Sequence, residues 1–142
     1  MIVVVDASVA LKWFFNARED ESHVDTALEI LKGIDIGNIR MVQPPHFIAE
    51  VAAVLAREKQ EDAYADLKDL QRLEWDVIQD ESVYSTAVKL SVNSGQHLFD
   101  TLYHAAALQT EDAILVTADE RYFEKAEEVG RIVRLRDFRL PG

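Results

Sequence analysis

Four carboxylates stand beside apolar sequence, where an acid is costly to bury. Asp6 follows Ile2-Val3-Val4-Val5, Glu50 lies within Phe47-Ile48-Ala49-Glu50-Val51, Asp100 follows Phe99, and Asp119 comes two residues after Ala113-Ile114-Leu115-Val116-Thr117. Carboxylates gathered in one cleft raise one another's pKa, so an empty cluster is unfavourable and a cation relieves it. Oxygen-only donors suit magnesium or manganese, which take hard ligands and retain part of their water shell. Zinc would draw on histidine or cysteine; cysteine is absent, and His23, His46, His97 and His104 form no zinc spacing. Asp6, Glu50, Asp100 and Asp119 are therefore predicted to be the metal ligands and catalytic groups of one site. Mg2+ or Mn2+ held there can activate water and stabilise charge on a phosphoryl oxygen during in-line displacement, the chemistry of phosphodiester hydrolysis. Ser8 and Thr117, each two residues from an acid, are predicted to orient an acid, a water or the phosphate with their hydroxyls.

Each acid taken alone has a plainer role. Asp6 and Asp119 suit the caps of the helices that follow them. Glu50 could pair with Arg57, and Asp100 could favour the positive end of its own helix. The joint pattern, two acids at strand ends and two on inward helical faces, favours a shared site.

The elements that must position these residues alternate along the chain. Residues 2 to 5 read as a buried strand and Ser8 to Phe15 as a helix capped by Ser8. A polar loop, Asn16 to Asp25, leads into a helix over Val24 to Lys32. Gly33 and Gly37 then mark a turn before a strand at Arg40 to Val42. Pro44 and Pro45 open a helix carrying Phe47, Ile48, Val51 and Leu55. A helix at Glu61 to Leu73, with Tyr64, Leu67, Leu70 and Leu73 on one stripe, precedes a strand at Trp75 to Ile78. Asp80 or Ser82 caps a helix to Val92, stopped by Asn93-Ser94-Gly95. Helix Phe99 to Gln109, strand Ala113 to Thr117, helix Glu120 to Glu128 and a last strand, Ile132 to Leu135, complete the order. Strands separated by helices predict an α/β fold, a three-layer α/β/α sandwich around a mostly parallel sheet with right-handed crossovers. Strand ends of such sheets are where ligands bind, and that is where Asp6 and Asp119 fall. No repeat or linker divides the 142 residues, so a single domain, 1-142, is expected.

Composition narrows the function classes. With 15 basic against 26 acidic residues the net charge is -11, which argues against a protein that coats nucleic acid through a broad basic surface. The segment from Arg131 to Gly142 departs from this, with four arginines and one aspartate; it could touch phosphate or simply be solvated. No apolar run reaches the roughly 20 residues that span a bilayer, and the lack of cysteine fits a reducing interior, so a cytoplasmic protein without membrane contact is expected. Trp13 and Trp75 could stack on bases, yet both lie in apolar patterns and read as core or interface. His104 is four residues past Asp100 and reads as core or helix surface before metal ligand. Leu102, Tyr103, Phe14 and Phe15 are either core or a patch for a partner.

Four segments carry a resemblance: Val4-Val5-Asp6-Ala7-Ser8-Val9, Pro44-Pro45-His46-Phe47-Ile48-Ala49-Glu50-Val51-Ala52, Phe99-Asp100-Thr101-Leu102-Tyr103-His104-Ala105-Ala106, and Leu115-Val116-Thr117-Ala118-Asp119-Glu120-Arg121-Tyr122-Phe123. In order and spacing they resemble the four motifs of PIN-domain ribonucleases, and most of all the VapC toxins of toxin-antitoxin pairs. The resemblance implies a Mg2+- or Mn2+-dependent endoribonuclease whose acids match Asp6, Glu50, Asp100 and Asp119, with polar helpers at Thr117 and Ser8. It implies water as nucleophile, a 5′-phosphate product, a homodimer, an RNA substrate, and a cognate antitoxin whose tail, often through an arginine, covers the acidic cleft. RNA would then be held by local basic positions such as Lys12, Arg57, Lys59 and Arg121.

Two other classes compete. A haloacid-dehalogenase-like phosphatase would want a second aspartate where Ser8 stands, and a phospho-receiver would want adjacent acids at the first strand end. A noncatalytic binding module of the same fold has no use for buried like charges, so retention of all four acids counts against it.

Overall fold

The computed structural model describes residues 1-18 and 22-141, so positions 19-21 of the predicted polar loop and the final glycine lie outside it. Five strands form one sheet: β1 (Ile2–Val5), β2 (Arg40–Gln43), β3 (Trp75–Val77), β4 (Ala113–Thr117) and β5 (Ile132–Arg134), in the order β3-β2-β1-β4-β5. The predicted mostly parallel sheet is parallel at every pairing. Val3, Val4 and Val5 are each fully buried. Because consecutive strand residues face opposite sides, this requires helical cover on both faces, the three-layer arrangement expected of all-parallel sheets.

Among the described residues seven α-helices supply that cover: α1 (Ala7–Phe14), α2 (Val24–Asp35), α3 (Phe47–Glu58), α4 (Ala63–Gln71), α5 (Glu81–Ser94), α6 (Leu98–Leu108) and α7 (Glu120–Ala126). The principal core joins β1, β2 and β4 to α1, α2, α3 and α6. A smaller cluster, Val83, Ala87, Leu102 and Ala105, seals α5 onto α6.

Several local expectations are corrected. Ser8 does not cap α1; Asp6 does, with extended backbone and a carboxylate accepting from the Val9 N–H. Ser8 sits inside the first turn, which frees its hydroxyl for tertiary bonds. Asp80 occupies the cap position of α5 without a side-chain bond. Tyr64 is 71% exposed, so the apolar stripe expected along α4 reduces to Leu70 in the core with its neighbours only partly covered. Helix α5 ends as predicted at Gly95, whose φ of 72° is a left-handed conformation glycine adopts without cost.

Chain order and strand order together place the site. From β1 the chain moves to β2 and β3 on one side, then crosses back to β4 and β5 on the other. The direction therefore reverses between neighbours β1 and β4, and at such a switch point the two outgoing connections diverge and leave a crevice at the carboxyl ends of the strands. Asp6 immediately follows β1 and Asp119 follows β4 by two residues.

Candidate active site

Asp6 is the centre of a network tying the ends of β1 and β4. Ser8 Oγ donates to Asp6 Oδ1, and Thr117 Oγ1 donates to Asp6 Oδ2. Each hydroxyl also accepts a backbone N–H: Ser8 from Ala118 across the crevice at 3.0 Å, and Thr117 from Asp119, two residues on in its own segment, at 3.0 Å. Both carboxylate oxygens of Asp6 are thus oriented, and both predicted supporting hydroxyls are in contact with it. Thr117 is fully buried, so its hydroxyl has no water to turn to. Asp119 caps α7 by accepting from the Tyr122 N–H at 3.0 Å. The capping role anticipated for Asp6 and Asp119 is real, and it holds both carboxylates at the crevice.

One further side chain locks this edge. Gln43, fully buried at the end of β2, accepts from the Val5 N–H at 3.1 Å and donates to the Val5 carbonyl at 2.7 Å. It thereby replaces a missing stretch of the β1-β2 ladder one residue before Asp6. Sequence reasoning missed Gln43; its signal was a lone amide closing the apolar strand Met41-Val42.

Glu50 and Asp100 approach from α3 and α6. Tyr103, buried on α6, donates its hydroxyl to Glu50 Oε1 at 2.6 Å. The ring of His46, at the cap of α3, lies 4.6 Å from Tyr103 and 5.2 Å from Phe99, with Nε2 3.8 Å from Glu50 Oε1. His46 Nε2 also contacts the Phe99 carbonyl at 2.8 Å. A carbonyl only accepts, so Nε2 carries the proton. Nδ1 is then a bare acceptor, and it is buried without a partner among the described residues. The anticipated pairing of Glu50 with Arg57 does not form; Arg57 pairs with Glu58 at 3.2 Å.

Electrostatics couple the four acids. Asp6 keeps some solvent-facing surface, yet burial of its carboxylate raises its pKa from 3.8 to about 6. The bonds from Ser8, Thr117 and Val9 oppose that shift, and the charge of Asp119 adds to it. Asp100 is also pushed up, by burial first and then by Asp119 and Glu50. Tyr103 is raised by burial, by its bond to Glu50, and by the charges of Glu50, Asp6 and Asp100, so it remains a proton donor across the physiological range. Among the described residues no lysine or arginine pairs with Asp6, Asp100 or Asp119. Nor, among the described residues, do three acidic or imidazole groups converge closely enough to hold a metal ion as they stand. The donors themselves are hard carboxylate oxygens without a lysine or arginine partner among the described residues, a chemistry that suits a hard divalent cation.

Other candidates are placed elsewhere. His104 is core, with Nε2 bonded to the Gly130 carbonyl at 2.8 Å and Nδ1 to the Tyr122 hydroxyl at 2.9 Å. Trp13 is core and donates to the Ala27 carbonyl at 2.9 Å, while Trp75 packs edge-on to Phe47. Phe15, Leu102 and Tyr103 are buried, not a patch. Lys12 is buried, and Lys59 is bonded to Asp66 at 2.7 Å and to the Phe14 carbonyl at 2.8 Å.

Comparison with solved structures gives a fold match along the whole chain. A chain of VapBC-1 from nontypeable Haemophilus influenzae superposes with a TM-score of 0.69 at 15% identity, covering 96% of this chain and 100% of that one. A chain of FitAB bound to the IR36 DNA fragment gives 0.68 at 13% identity, covering 99% of each. No curated protein matches. The model of the PIN domain family matches residues 3–129, and the chain belongs to that family.

Proposed function

We propose that the protein is a divalent-metal-dependent endoribonuclease that hydrolyses RNA phosphodiester bonds, and that it is the toxin of a toxin-antitoxin pair. The observation that carries the reading is the coupling of Asp6, Glu50, Asp100 and Asp119 at one crevice, with Asp6 and Asp100 pushed toward the protonated form by burial first and by neighbouring carboxylates second. PIN family membership supports nuclease chemistry, and the fold shared with chains of VapBC-1 and FitAB supports a toxin with a protein antitoxin. The cytoplasmic setting, the homodimer and the single domain over 1-142 belong to the same reading.

Asp6, Glu50, Asp100 and Asp119 would hold Mg2+ or Mn2+. Such an ion, when bound, supplies Lewis acidity at the scissile phosphate and lowers the pKa of an attacking water. The chain's own residues do the positioning. Ser8 and Thr117 fix both oxygens of Asp6, Gln43 fixes the strand end beneath it, and Tyr103 fixes one oxygen of Glu50. Such supporting bonds commonly change metal affinity by about 10- to 100-fold.

The test is cleavage of single-stranded RNA by the purified protein. Cleavage should require Mg2+ or Mn2+, stop with chelator, and fall by at least about a thousandfold in Asp6→Asn, the scale of losing a group essential to the chemical step. Undiminished cleavage by Asp6→Asn would remove the assignment.

A further inference from the structure

An acidic nuclease has to hold a polyanion without a basic surface. Of the four basic positions named from the sequence, Arg121 alone is exposed without an ion pair among the described residues, and one arginine is not a basic surface. Lys12 is buried, Lys59 is committed to Asp66, and Arg57 to Glu58. The four C-terminal arginines each have an intramolecular partner: Arg134 with Asp137, Arg136 with Glu120, Arg131 with the Thr110 carbonyl, and Arg139 with the Arg136 and Phe138 carbonyls. Binding with so few basic side chains gains from the bases, whose faces stack on aromatic rings whatever their sequence.

Phe99 presents such a ring beside the acids. It is 48% exposed and immediately precedes Asp100. Both backbone polar groups of Phe99 are bonded, and its ring packs against two imidazoles. Its N–H donates to His97 Nδ1 at 3.0 Å, its carbonyl accepts from His46 at 2.8 Å, and its ring lies 4.8 Å from His97 and 5.2 Å from His46. His46 in turn stands 3.8 Å from the Glu50 carboxylate, so a single side chain separates the Phe99 ring from the acidic crevice. A ring already packed against two neighbours has less freedom to lose when something stacks on its open side.

We propose that Phe99, braced by His46 and His97, is a stacking platform for an unpaired nucleobase of the RNA substrate, flanking the phosphate addressed by the four acids. The inference rests on the nuclease reading for its substrate class, and two measurements separate them. In steady-state cleavage of a short single-stranded RNA, Phe99→Ala should raise KM about tenfold or more, the scale of one lost base stack, with kcat changed less than about twofold. Phe99→Tyr should restore KM. Independently of cleavage, the added fluorescence of Phe99→Trp, over the Trp13 and Trp75 background, should be quenched by a hydrolysis-resistant phosphorothioate RNA and not by its abasic counterpart. Equal KM in Phe99→Ala with normal cleavage overturns the platform and leaves the nuclease standing. Equal quenching by base-bearing and abasic oligomers, or a change in self-association as the sole effect of Phe99→Ala, also overturns it. Base-dependent quenching in a protein that cleaves no RNA would uphold the platform and sink the nuclease.

Discussion

At the scale of single residues, three of the four acids, Asp6, Glu50 and Asp119, are oriented by neutral hydrogen-bond donors. Glu50 is the clearest case. Its Oε1 accepts from a buried tyrosine hydroxyl and stands near His46, while Oε2 has no partner among the described residues. Tyr103→Phe deletes one oxygen and preserves the ring packing against Phe47 and His46. It should weaken Mn2+ binding about tenfold, read by electron paramagnetic resonance of free Mn2+ without RNA. In a Glu50→Gln background the same change should cost almost nothing further, because the tyrosine acts through that carboxylate. Additive losses would show that Tyr103 serves the core instead. The contacts of Ser8 and Thr117 with Asp6, and the electrostatic proximity of the four acids, were legible in the sequence because each was a polar residue out of place. Tyr103 and His46 were not, since an aromatic in an apolar helix reads as core until its polar atom is seen to have a destination.

At the scale of elements, the crevice depends on how β1 is held on either side. On one side β4 pairs in register from Ile2 with Ala113 to Val5 with Val116. On the other, pairing with β2 covers Ile2 and Val3, and Gln43 completes it with a side-chain amide. Gln43→Leu would leave the Val5 N–H and carbonyl buried without partners, at a cost of about 2-4 kcal/mol. In urea unfolding the midpoint should fall with an unchanged slope. A loss below about 1 kcal/mol would mean that the ladder closes without the amide. Element boundaries in the sequence were set by local chemistry, which is why Gly95 and the apolar run of β4 fell where expected. The start of α1 did not, because Ser8 is a good cap in isolation and was drawn away by Asp6 and Ala118, 110 residues distant.

At the scale of the molecule, charge and folding are linked through the site. Asp6 has a folded pKa of about 6 against 3.8 ordinarily, so between those values the folded state binds more protons than the unfolded chain. Its contribution is favourable below about pH 4 and is lost as pH rises through 6, amounting to at most about 3 kcal/mol. Asp100 shifts in the same direction. In metal-free buffer the stability of the wild type relative to Asp6→Asn should therefore decline from pH 4 to pH 7 and then level off. Saturating Mn2+ at pH 7.5 should raise the wild-type melting temperature, and lowering the pH to 5.5 should weaken that ion's affinity through proton competition. A pH-independent difference between the two proteins would mean that Asp6 is not held in a dehydrated setting.

Alternation of apolar runs with amphipathic segments determined, from sequence alone, that strands would be joined by helices into a parallel sheet, because hydrophobic period and turn chemistry are local properties. Acidic residues at strand ends and on helical faces likewise announced chemistry without naming its geometry. Strand order belonged to the tertiary structure. Only the return of the chain from β3 to β4 makes β1 and β4 neighbours, and only that adjacency lets Thr117 reach Asp6 across 111 residues. The same holds for the bonds of Gln43, Tyr103 and His46: their partners lie 38, 53 and 53 residues away, beyond any spacing rule, and packing rather than pattern chose them.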